Sequence, residues 1–342
     1  MHVGLVAALA AAGRVSVLER EATYAFPGGR TATVAAATLA DWRARPRRSG
    51  CVASRVGDAH GELGNTDEVF VEHCGAPGAT NGTAVAVCVP TVYGDYLATP
   101  RGLRWTSAFL DHYRALGAAR VVLYAAAPPA PIPALGGDVE LVHVAWLRSC
   151  AARTTRTPGR RHGARCQFAE NRSIMYWGQN FVLNDCLLRS AAAGAGWVLS
   201  VDLDELLALP EGGSLREFAA AAAAARLDVV TFGSALEAPV PCTDAAAAPC
   251  AAWAPFCDAR RCADCARCPR NHGRRKHLAR AGRVGRANVH FVPGGACAGA
   301  PCASRDAPTA EARLRHFSRP SRATAIFDGA ADLCPRRLAC FP

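Results

Sequence analysis

The chain has 342 residues, of which 51% are hydrophobic, enough for one large α/β domain with appendages or for two modest domains. The net charge of +11 and a pI near 9.1 suit acidic partners such as nucleotide phosphates. The arginine clusters at 43–48, 148–165 and 270–276 lack the interleaved aromatics that stack on bases, which argues against nucleic acid, and no run reaches the roughly 20 apolar residues of a membrane span.

The start, Met1 to Gly13, is apolar but short and ends at Arg14. It fits either the remnant of a signal peptide or anchor, or a first core element. Residues 1–82 form a poorly defined N-terminal region with a possible helix over Ala32–Trp42 and a linker from Gly75 to Gly82. From Thr83 the pattern sharpens. Ala84 to Val89 is a continuous apolar run, as in a strand buried on both faces, and Pro90 is expected to stop it. Leu103 to Leu116 places Trp105, Phe109, Leu110, Tyr113 and Leu116 near helical spacing, with Gly117 as the C-cap. Arg120 to Tyr124 and Val139 to Trp146 read as further strands.

After an arginine-rich loop, Gly178 to Ala193 reads as a long helix closed by Gly194 and Gly196. Trp197 to Val201 is the next strand and runs straight into Asp202-Leu203-Asp204-Glu205. Leu215 to Ala225 is an alanine helix, and Val229 to Phe232 another strand. Residues 238–272 form an irregular cysteine-rich insertion, Leu278 to Val292 suggests two short strands, and 321–342 is a tail. The rhythm is that of an open α/β sheet flanked by helices.

The chemistry concentrates after the Trp197 strand. Residues i and i+2 of a strand share a side, so Asp202 and Asp204 are placed to face one ion. Hard cations such as Mn²⁺ or Mg²⁺ take carboxylate oxygens and keep positions open for phosphate. Open α/β sheets bind ligands at the carboxyl ends of their strands, which is where this pair falls. A metal there stabilises the diphosphate that leaves a nucleoside-diphosphate sugar. Glu205 either orients the pair or caps the turn.

The sixteen cysteines suit a lumenal or secreted protein. Cys257, Cys262, Cys265 and Cys268 are spaced like a zinc knot, and the first three also match an iron–sulfur spacing. Disulfides among these four, Cys242, Cys250, Cys297 and Cys302 are the preferred reading.

These residues resemble a family. Gly178-Gln179, Asn184-Asp185-Cys186-Leu187, Trp197-Val198 and Asp202-Leu203-Asp204-Glu205-Leu206 are similar to the central motifs of the glycosyltransferase family 92 domain. Val87-Cys88 and His112 to Gly117 look like its opening strand and helix. Arg275-Lys276-His277-Leu278, Val289-His290-Phe291 and Arg315-His316-Phe317 look like its later basic and histidine motifs. The likeness spans roughly residues 84–320. Leu206 stands where the family often has Phe, and Ala108 where its first helix often has an acid.

The resemblance implies a GT-A-like (Rossmann-like) domain over 83–320 and an inverting transfer from a UDP-sugar donor to a glycan or glycoprotein acceptor. It also implies a lumenal catalytic domain in the Golgi or secretory pathway, with membrane association through a short or missing N-terminal anchor. Asp202 and Asp204 are then the metal ligands, with His316 or the rival His290 completing the shell. Thr91, Gln179, Asp185, Lys276 and Arg280 are candidates for holding the donor. Glu237 and Asp244 are candidate bases for the acceptor hydroxyl. Two other readings remain at this point: an inactive GT-A-like binding or scaffold protein, and a zinc-dependent nucleic-acid-binding protein.

Overall fold

The computed structural model describes residues 15–46, 49–56, 66–75, 82–92, 97, 99–126, 136–144, 146, 166–167, 173–174, 178–237, 275–288, 290–293, 296–297, 301–308 and 310–317. The cysteine-rich insertion, Asp244 and the C-terminal tail lie outside the described residues.

The N-terminal region contributes β1 (Val15–Val17), β2 (Glu21–Phe26), β3 (Arg30–Ala37), the short α1 (Leu39–Arg43), β4 (Cys51–Val56) and β5 (Thr66–Cys74). The helix expected over Ala32–Trp42 is therefore a strand followed by five helical residues. Antiparallel pairing of β3 with both β2 and β5 overrides alanine's helix preference. The small alanines let the strand lie buried between its neighbours. The Thr38 hydroxyl accepts from Asp41 N at 3.1 Å and starts α1.

The main body continues with β6 (Val85–Val92), α2 (Pro100–Ala115), β7 (Arg120–Ala125), β8 (Val139–His143), β9 (Cys166–Gln167) and β10 (Ser173–Ile174). Then come α3 (Gln179–Ala192), β11 (Trp197–Ser200), β12 (Glu205–Ala208), α4 (Leu215–Ala224), β13 (Val229–Phe232) and β14 (Ser234–Glu237). The last strands are β15 (Lys276–Arg280), β16 (Ser304–Asp306) and β17 (Arg313–Phe317). Pro90 does not stop β6. The strand passes it with a register shift between Val89 and Val92, the kind of irregularity that accommodates a residue unable to donate to the ladder. Among the described residues, 278–292 hold one strand rather than two: after β15 the chain turns at Gly282 and makes an isolated bridge, Val284 to Cys297.

Eight strands form the central mixed sheet in the order β1-β8-β7-β6-β11-β15-β13-β16. Strands β6, β7, β8 and β11 run parallel, and β15 enters antiparallel between β11 and β13. This is the expected α/β class. One face is covered by α2 and α4, which bury Trp105, Phe109, Tyr113 and Leu215 against Val87, Leu123, Leu199 and Leu278. The other face is covered by α3 and, beyond it, the antiparallel sheet of β2, β3, β5 and β4. There Phe181, Leu187 and Val34 join Ala86, Tyr124 and Val198. Fully burying a side chain such as Phe109 or Leu199 contributes about 1.5–3 kcal/mol, so both layers are needed to hold the sheet. The N-terminal sheet is thus a covering layer on the central sheet. A small third sheet, β12-β17-β14, stands beyond the carboxyl end of β11.

Three disulfides lie among the described residues: Cys51–Cys74, Cys88–Cys186 and Cys297–Cys302. Cys297 and Cys302 bond to each other rather than into the insertion. Cys88–Cys186 ties β6 to α3 across 98 positions of sequence.

Candidate active site

Strand β11 is fully buried along Trp197–Ser200, and the chain then turns through Asp202, Leu203 and Asp204, all partly exposed, before Glu205 is buried again at the start of β12. The turn is anchored from beneath by α2. Trp105 Nε1 donates to Leu203 O at 2.8 Å, and Tyr113 Oη donates to Glu205 O at 3.0 Å while accepting from Leu207 N at 3.1 Å. The His112 ring lies 2.9 Å from Leu207 O through Nε2. Sequence patterning marks Trp105 and Tyr113 as core residues of an amphipathic helix. Their polar atoms are the signal that they do more, because buried indole and phenol groups need partners.

Opposite the turn, β15 starts at Lys276, whose ammonium is completely buried, 3.0 Å from Asp202 Oδ1 and 3.5 Å from Glu205 Oε2. Burial alone would discharge Lys276. The carboxylates of Asp202 and Glu205 outweigh it and hold its pKa above the ordinary value. Glu205 Oε2 also accepts from Asp202 N at 2.8 Å. Burial pushes the Glu205 carboxyl up to about 7, against the opposing pull of Lys276. Glu205 therefore caps the turn that presents Asp202.

The small third sheet brings two more candidates to this turn. In β17, His316 is the register partner of Glu205 on one side and of Leu236 on the other. Glu237 ends β14 opposite Phe317. Thr91 lies near the end of β6, the parallel neighbour of β11, with Val201 N bonded to Cys88 O at 3.1 Å. Thr91 is 5% exposed, and its hydroxyl has no hydrogen-bond partner among the described residues. Gln179 opens α3 directly after Gly178, whose φ of 73° is the left-handed conformation that favours glycine.

Three expected site residues do not gather here. Arg280 pairs with Trp197, at the start of β11. Four residues along a strand place it about 13 Å from Lys276, at the opposite end of the sheet. Asp185 is fully buried on α3 and accepts from Tyr24 Oη, from Tyr124 Oη at 2.6 Å and from Arg189 Nε at 3.0 Å. It braces the helix between two sheets rather than meeting a donor. His290 contacts Arg275 O through Nδ1 at 3.3 Å and lies close enough to His277 to act on its charge. His277 alternates with Lys276 along β15 and so faces the α3 side of the sheet, away from the Lys276 ammonium. Asp244 lies outside the described residues.

Two carboxylates, a third acid beneath them and a buried ammonium form a charged cluster at the carboxyl end of a central strand, where α/β folds bind phosphates. A family model, glycosyltransferase family 92, matches residues 134–329, more than half of the chain. The chain belongs to glycosyltransferase family 92. No curated protein matches it. Family membership makes the chain a glycosyltransferase and the large mixed sheet flanked by helices a GT-A-like domain. The matched segment contains α3, the acidic turn, β15 and β17.

Proposed function

We propose that this glycosyltransferase moves a sugar from a UDP-sugar to a hydroxyl of a glycan or glycoconjugate, with inversion at the anomeric carbon and with Mn²⁺ or Mg²⁺ bound. The observation that carries this reading is the Asp202–Lys276–Glu205 cluster with Asp204 beside it. Oxygen donors from two partly exposed carboxylates suit a hard divalent cation. Asp202 and Asp204 would hold it, with His316 as the candidate third ligand, since its strand pairs with the turn. When bound, the metal supplies Lewis-acid stabilisation of the leaving diphosphate.

The protein's own residues do the rest. Lys276 fixes Asp202 through one carboxylate oxygen and places a permanent positive charge beside the leaving group. Glu205 holds the backbone of the turn. Thr91, whose buried hydroxyl has no partner among the described residues, and Gln179, at the start of α3, are the donor contacts to test. Glu237 is the candidate base that takes the acceptor proton, because β14 adjoins β17 next to His316; Asp244 is the other.

A lumenal setting in the secretory pathway accords with the three disulfides, which persist in oxidising compartments. No helix among the described residues is long and apolar enough to cross a membrane. The test is a screen of UDP-sugars for Mn²⁺-dependent hydrolysis and transfer by the purified protein. Turnover should disappear in Asp204→Ala. Unchanged turnover in that variant refutes the metal assignment, and failure of the wild type to bind UDP with Mn²⁺ favours an inactive binding protein instead.

A further inference from the structure

A cavity lies away from the acidic turn, with none of that turn's residues in its walls. It occupies about 280 Å³ between the antiparallel N-terminal sheet, the last turns of α3 and the loop that follows β15. The C-terminal half of α3 leads through a short turn into the start of β11, so this cavity sits at the amino ends of the parallel strands. The acidic turn is at their carboxyl ends.

The walls have two characters. The floor is apolar, built from Phe26, Leu187, Leu188 and Val284. Val52 stands at the cavity with 73% of its surface exposed, the largest value among exposed large hydrophobics of the described residues. The charge is all of one sign: Arg30, Arg283 and Arg286 line the cavity, and no Asp or Glu does so among the described residues. Arg283 is tied to Asp228 at 3.4 Å. Arg286 is different. Its Nη1 donates to Arg55 O at 2.9 Å, and its Nε is buried with no hydrogen-bond partner among the described residues. Held in place by that carbonyl, the guanidinium lines the cavity as a fixed cation, the kind of group that pairs with an oxyanion.

The cavity is also covalently framed. The Cys51–Cys74 disulfide joins β4 to β5 at one wall, and Cys297–Cys302 pins the loop at another. Gly285 packs so closely that a Cβ there would stand 2.9 Å from His73 Nε2. Binding to such a preformed site loses little to ordering.

We infer that this cavity binds a small amphipathic anion, an apolar chain or ring carrying one carboxylate, sulfate, sulfonate or phosphate, with the apolar body on the α3 floor and the acid on Arg286. The site is independent of the catalytic reading, and binding is measured without turnover.

The probe is 8-anilinonaphthalene-1-sulfonate, titrated by fluorescence against the folded full chain, with its neutral counterpart N-phenyl-1-naphthylamine in parallel. The expected result is saturable binding of one sulfonate per chain. Arg286→Gln should weaken it about tenfold, the loss of one charge-assisted contact, without changing the neutral probe. Val52→Glu, at an exposed edge-strand position that tolerates substitution, should weaken the sulfonate similarly by repulsion. Circular dichroism of each variant confirms folding. Competition by monomeric decanoate or decyl sulfate but not by phosphatidylglycerol vesicles assigns a free acid; competition by vesicles assigns a lipid headgroup. Absence of saturable binding, an affinity unchanged from wild type in both variants, or competition by decyl maltoside as strong as by decanoate overturns the inference.

Discussion

The two acidic clusters of this chain, around Asp185 and at the Asp202–Glu205 turn, differ in what surrounds them. Asp185 accepts from two tyrosine hydroxyls and Arg189, and Arg189 continues to Glu140 at 2.9 Å, which also meets Arg120 and Ser16. Asp185 itself is fully buried, and its bonds to Tyr24, Tyr124 and Arg189 bind α3 to both sheets. At the acidic turn the charge is only partly enclosed. Lys276 and Glu205 are sealed, while 32% of the Asp202 side chain remains exposed and Asp204 is partly exposed. A carboxylate enclosed by protein donors is a brace, and one held firmly at the edge of solvent is a site.

The sharpest way to break this comparison is to remove one acid from each cluster. Asp204→Ala should lower turnover by about 10²–10³-fold or more, the scale of losing one preorganised electrostatic element, with little change in unfolding free energy. Asp185→Ala should do the reverse, costing about 3–5 kcal/mol in denaturant titrations because Arg189 loses a buried partner, while turnover per folded molecule is kept. Equal effects of the two variants on both quantities would erase the distinction.

The Cys88–Cys186 bond belongs to the brace side. Replacing both cysteines by alanine should cost about 2–5 kcal/mol, since the bond closes a long loop in the unfolded chain, and the denaturation midpoint reports it. Next is the pH response of the support beneath the turn. Burial lowers the His112 pKa from 6.5 to about 4. The unfolded chain therefore binds a proton between those values that the folded chain refuses, and stability falls as pH drops from 6.5 to 4, by up to about 3 kcal/mol. His112→Gln should flatten the stability–pH slope in that window by up to one proton. The smallest effect is expected at Thr91. Thr91→Val removes a buried hydroxyl with no partner among the described residues and should change stability by less than about 1 kcal/mol, while raising the KM for the donor several-fold if the hydroxyl meets it.

Much of this was legible in the residues. The strand at Trp197, the helix at Leu215 and the strand at Val229–Phe232 carry their signals locally, in continuous apolar runs and a Ser214–Glu217 capping box. The N-terminal sheet was not legible, because alanine-rich β3 owes its conformation to partners on both sides. Lys276 was legible as a basic residue near a strand, but its pairing with Asp202 spans 74 positions and is set by the antiparallel entry of β15. Arg280 was misplaced for the same reason. A strand's sequence does not state which of its ends meets the site. Asp185 sits in a family motif, and only the hydroxyls of Tyr24 and Tyr124 reveal it as a brace.

The pairing of β12 with β17 has a consequence for how the protein is made. The chain leaves the ribosome from its amino end, and Glu205 emerges more than a hundred residues before its partner His316. For that interval the acidic turn has a strand edge with nothing beside it, a known route to wrong pairing. The acidic turn is therefore one of the last parts of the molecule to be finished. A chain cut before Arg313 would leave the turn attached to β11 but without the strand that joins β12 to β14.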